Sequence, residues 1–89
     1  MVFEVLLEPK AAKALRKLDD TNRTRLKKAL ADVAVDPWKA GKQLHLSHFW
    51  GTKSGDYRAI YEIDMDQNRV IVVFIGHRKN VYDDFSKML

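Results

Sequence analysis

Eighty-nine residues, 46% of them hydrophobic and 10% aromatic, suffice for one globular domain (residues 1–89) and are too few for two independent cores. The absence of cysteine excludes disulfide scaffolds, thiolate metal sites and cysteine nucleophiles, and it fits a reducing compartment. Lys and Arg number 16 against 12 Asp and Glu, and the resulting charge of +4 is a modest bias toward polyanions, of which nucleic acid is the commonest.

The opening stretch MVFEVLLEPK has an acidic residue at Glu4 and no basic segment ahead of a long apolar core, unlike a signal peptide. The longest apolar run, residues 70–75, is far too short to span a bilayer. The expectation is a soluble, cytoplasmic protein with no membrane partner.

Residues 2–7 (VFEVLL) form a strand candidate rich in Val, Phe and Leu. Pro9 follows at a position suited to the first turn of a helix, in which Ala11, Ala14, Leu15 and Leu18 recur at helical spacing. The DDT at residues 19–21 breaks that helix and caps a second, whose apolar stripe is Leu26, Ala29, Leu30 and Val33 and which Asp36-Pro37 stops. The very short link makes the two helices an antiparallel hairpin.

Residues 43–49 alternate loosely as a strand, and residues 51–55 turn the chain. Strands at 58–64 and 69–77 are joined by the polar loop MDQN as an antiparallel hairpin. In the last ten residues Val81, Phe85 and Met88 fall at helical spacing behind Asn80 as cap. The predicted order is β-α-α-β-β-β-α. That is an α+β domain, a mostly antiparallel four-stranded sheet with the amino-terminal helical hairpin on one face and a partly open opposite face.

In GDYRAIYEID, Tyr57, Ala59, Tyr61 and Ile63 share one face, while Arg58 lies on the other with Ile60 and Glu62. Arg58 starts one strand and Arg78 ends its antiparallel neighbour, so both guanidiniums reach the same edge of the sheet, near Lys53 and Tyr82. Converging guanidiniums match a phosphodiester bidentately, and a neighbouring tyrosine stacks on a base or bonds a ribose hydroxyl. The bland alternative is that these arginines pair with Asp56, Glu62 or Asp83. His77 is a reserve acid or base, with a merely packed histidine as the alternative. His45 and His48 face opposite sides of a strand without a third ligand, which argues against a metal. Asp64, Asp66 and Asn68 begin like a calcium loop, but Arg69 and Ile75 stand where glycine and glutamate are needed.

The run GDYRAIYEID, an apolar strand and then GHRKNVYDDF resemble the RelE/ParE superfamily of toxin–antitoxin toxins, most closely its RelE side. The resemblance extends over nearly the whole chain, including AAKALRKL and the DP that closes the second helix. It implies the RelE-like fold and a metal-independent, cofactor-free endoribonuclease, an mRNA interferase that arrests growth by cutting mRNA in the ribosomal A site. The 2′-hydroxyl would attack the adjacent phosphate. Carried over by motif, Arg58 binds the phosphate, Arg78 and Tyr82 follow the last strand, and Lys53 is the basic residue before GDYR and the candidate base. One departure is Gly51 after Trp50, where members often carry a second cation. The implied partners are a cognate antitoxin, mRNA and rRNA on the ribosome, and operator DNA only through the antitoxin complex. Two alternatives are a ParE-like inhibitor of DNA gyrase without catalysis, and an inactive homologue that binds antitoxin and operator DNA.

Overall fold

The structure, a computed structural model, describes residues 2–44 and 47–87. Its elements in chain order are β1 (Glu4–Leu7), α1 (Pro9–Lys17), α2 (Asp20–Val35), β2 (Lys42–Gln43), β3 (Phe49–Ser54), β4 (Tyr57–Asp64), β5 (Arg69–His77) and α3 (Val81–Ser86). The sheet runs β1-β5-β4-β3-β2, with β1 parallel to β5 and all other pairs antiparallel.

Local chemistry accounts for the helices. Pro9 occupies the first turn of α1, where its missing N–H costs nothing. The Asp19 carboxylate accepts from the Asn22 N–H at the start of α2. Ala11 and Leu15 of α1 and Leu26, Leu30 and Val33 of α2 are buried against Phe3, Ala59, Tyr61, Val70, Val72 and Ile75. Burying each large aliphatic side chain there is worth roughly 1.5–3 kcal/mol. On the opposite face α3 lays Val81 and Phe85 over Ile60, with the Phe85 and Phe49 rings edge to face at 4.9 Å.

The two-faced burial of β5 has a specific cause. Ile60 pairs with Phe74 and Tyr61 with Val72, so Val73 is an extra residue. This bulge puts Val70, Val72 and Ile75 on the helical face and both Val73 and Phe74 on the other, which is why the apolar run lacks a clean period of two.

The α+β class holds, but the sheet has five strands where four were expected. The predicted strand at 43–49 is replaced by the two-residue β2 and by β3, which runs through the segment read as a turn. Only Gly55 of the two glycines bracketing that segment has a left-handed φ, of 60°. The turn therefore contracts to Gly55 and Asp56, and Ser54 pairs with Tyr57. Asn80 precedes α3 without a side-chain capping bond, and Met88, placed at the end of that helix from sequence, lies outside the described residues.

Candidate active site

Extension of β3 places Lys53 directly opposite Arg58. Cross-strand partners share a face, so both side chains lie on the α3 side of the sheet. Two residues away on the same face Gly51 stands opposite Ile60 and adds no side chain to the space beside this pair.

The space is a cleft of about 530 Å³ whose cations are Lys39, Lys42, Lys53 and Arg58, with no carboxylate among its lining residues. The Nη1 of Arg58 is buried and has no hydrogen-bond partner among the described residues. A buried guanidinium donor left unpaired costs about 1–3 kcal/mol or more, so the arrangement is suited to an incoming acceptor.

One wall of the cleft is the loop after α2, pinned to the sheet by two hydrogen bonds. The Tyr61 hydroxyl donates to the Pro37 carbonyl at 2.6 Å, and the Thr52 hydroxyl donates to the Ala40 carbonyl at 3.1 Å. Burial, and secondarily the Asp36 carboxylate, push the Tyr61 hydroxyl up to about 12. Gly41 allows the approach: a Cβ there would collide with the Tyr61 hydroxyl and stand 2.8 Å from the Gly51 carbonyl oxygen.

Tyr82, 44% exposed, comes from α3. Its hydroxyl lies 3.5 Å from where a Gly51 Cβ would be, so it overhangs that open position. Lys53, Arg58 and Tyr82 thus meet in one cleft.

Arg78 stands apart. It follows β5 two residues beyond Gly76, the partner of Arg58, at the same end of the sheet. Its Nε is 3.5 Å from the Asp56 carboxylate and its N–H donates to the Asp56 carbonyl at 2.7 Å, so the pairing weighed from sequence is present for Arg78. For Arg58 the candidate partner Glu62 instead contacts His48 at 3.2 Å. His77 is directed away from the cleft. It pairs across the sheet with Tyr57, their rings 5.5 Å apart, and Tyr57 packs on the helical core.

His45 lies outside the described residues, and among the described residues no three His, Asp or Glu gather as a metal site. The calcium-like stretch is a turn in which Asp64 accepts from the Gln67 N–H and Asn68 has φ 53°. Sequence reasoning missed Lys39 and Lys42. Their only signal is a lysine on either side of Ala40-Gly41 after the proline stop.

The fold, a helical hairpin over one face of a five-stranded sheet, is shared with solved RelE toxins. A mutant of the Escherichia coli toxin RelE in the free state superposes with a TM-score of 0.81 at 28% identity, covering 100% of this chain and 99% of that one. The intact E. coli RelBE toxin–antitoxin complex matches at 0.75 and 28% identity, covering 84% and 95%. Toxin RelG of Mycobacterium tuberculosis is 30% identical over 56 residues, which is 61% of this chain and 64% of that protein, somewhat under two thirds of the relative's length. The ParE toxin of type II toxin-antitoxin system, parDE, matches as a family over residues 5–82, and the chain belongs to this family, within the RelE/ParE superfamily.

Proposed function

We propose that this toxin is a ribosome-dependent mRNA endoribonuclease in which Arg58 holds the scissile phosphate. The observation that carries the reading is the buried, unpartnered Nη1 of Arg58 in a cleft with three lysines and no carboxylate. In the reaction the RNA 2′-oxygen gives its proton to a base and bonds to phosphorus, while the bond from phosphorus to the 5′-oxygen breaks and that oxygen takes up a proton. A 2′,3′-cyclic phosphate and a 5′-hydroxyl result, without a metal or cofactor.

Negative charge grows on the phosphoryl oxygens in the transition state, so a preorganised guanidinium stabilises it more than the ground state. Lys53, opposite Arg58, takes the 2′-hydroxyl proton as its neutral amine. Tyr82 stacks on a base or orients that hydroxyl. Arg78, once it leaves Asp56, supports the charge on the leaving oxygen. With His77 on the other face, the cleft has no imidazole for proton transfer among the described residues. Alignment of the mRNA in the ribosomal A site then supplies much of the rate.

A cognate antitoxin is the inhibiting partner in this reading, which the solved E. coli RelBE toxin–antitoxin complex supports. Acidic antitoxin groups would neutralise the cleft cations, and operator DNA would be reached only through that complex. The setting is the cytoplasm; among the described residues no helix is long and apolar enough to cross a membrane.

The match to the ParE family favours a second reading, inhibition of DNA gyrase without catalysis. Expression of the toxin with mapping of cellular mRNA 5′ ends separates the two. New in-frame ends within codons are expected; intact mRNA with broken DNA would select the second.

A further inference from the structure

The register of the edge strand has a consequence for how RNA lies in the cleft. Lys42 of β2 is the direct cross-strand partner of Gly51 in β3, so its side chain stands on the cleft face beside a residue with no side chain. Two residues on from Gly51 is Lys53, which faces Arg58. Direct cross-strand partners are about 5 Å apart and diagonal ones about 7–8 Å. Lys42, Lys53 and Arg58 therefore form a diagonal row of cations across three strands on one face, all lining the same cleft. Lys42 is exposed, and Lys39, from the loop before it, lines the same cleft.

We propose that Lys42 binds the phosphodiester adjacent to the one held by Arg58, so that the cleft takes two successive phosphates of a single RNA strand. This rests on the nuclease reading of the cleft and adds a binding residue to it. A Cβ at Gly51 would meet nothing nearer than the Leu44 methyl and Tyr82 hydroxyl, both at 3.5 Å, so a cation placed at 51 can replace one lost at 42.

The test is binding of a short 2′-O-methyl RNA, which cannot be cut, across a salt series. Each phosphate contact contributes about 0.7 to the slope of log K against log salt for a single strand. Lys42→Met is expected to bind several-fold more weakly at low salt with a slope flatter by about 0.7, and Lys42→Arg to bind like the parent. Adding Gly51→Lys to Lys42→Met should restore the slope, whereas Lys13→Met, on α1 outside the cleft, should leave it unchanged. A parent-like slope for Lys42→Met, or equal flattening by Lys13→Met, overturns the proposal. An Arg58→Ala arm separates the two levels. If Arg58→Ala also binds like the parent, the nuclease reading falls with it; if Arg58→Ala alone weakens binding, only the role of Lys42 is wrong.

Discussion

Lys53 and Arg58 face each other directly across the hairpin closed by Gly55 and Asp56, two like charges in one cross-strand pair with no carboxylate lining their cleft. Opposed like charges on a sheet cost roughly 0.2–1 kcal/mol, and the unpaired Nη1 of Arg58 adds a desolvation cost. An anion between the two cations offsets their repulsion.

Arg58→Met should therefore leave Tm unchanged or raise it, at about 4–8 °C per kcal/mol recovered in a domain of this size. Sulfate should raise the parent's Tm more than chloride at equal ionic strength, and should lose most of that advantage in the variant. Calorimetry checks both. A large drop in Tm for Arg58→Met would mean that Arg58 serves the fold and not a ligand.

On the nuclease reading Asp56 competes with RNA for Arg78, to which its closest approach is 3.5 Å between two exposed side chains. Asp56→Asn should keep stability within about 1 kcal/mol of the parent, since exposed pairs contribute little. It should also raise cleavage on programmed ribosomes, because Arg78 is released. Slower cleavage by a folded Asp56→Asn protein would assign the carboxylate a productive role.

Of the two glycines at the cleft, only Gly41 should be sensitive to an added methyl group. Gly41→Ala forces a Cβ to 2.8 Å from the Gly51 carbonyl oxygen and into the Tyr61 hydroxyl, so a loss of about 1–3 kcal/mol is expected. Gly51→Ala meets only ordinary contacts and should stay within about 0.5 kcal/mol of the parent. Urea denaturation of both variants decides it. Equal stabilities would show that the loop at 41 is not packed against the sheet.

Tyr61 gives the fold an alkaline limit. Its hydroxyl titrates at about 12 in the folded chain against 10.0 for the unperturbed group. Between those values the unfolded chain has lost the proton that the folded chain keeps, so stability is complete below pH 10 and falls as pH rises toward about 12. Tyr61→Phe, which also loses the bond to Pro37, should begin less stable and decline less steeply over that window. Parallel curves of Tm against pH would contradict the assignment.

What the sequence disclosed was mostly what local chemistry determines. Pro9, Asp19 and the Asp36-Pro37 stop mark the helices because capping and proline sterics act over a few residues. The span Arg69–His77 was legible from its apolar run between polar turns. The segment around Lys53 was not, because Gly51 and Gly55 are equivalent as letters and only their backbone angles tell strand from turn. Lys39 and Lys42 reach the cleft through hydrogen bonds from Tyr61 and Thr52 to a distant loop, which leave no local pattern. The outward turn of His77 follows from its pairing with Tyr57, and the fifth strand from a two-residue pairing too short to show as a periodicity.

The central claim is that the Arg58 cleft cuts RNA through the 2′-hydroxyl. The most direct measurement is the chemistry of the ends left on ribosome-programmed mRNA by the parent and by Arg58→Ala. A 2′,3′-cyclic phosphate and a 5′-hydroxyl are expected from the parent, with a rate about 10²–10³-fold lower for the folded variant. Ends bearing a 3′-hydroxyl and a 5′-phosphate, or undiminished cutting by Arg58→Ala, would contradict it.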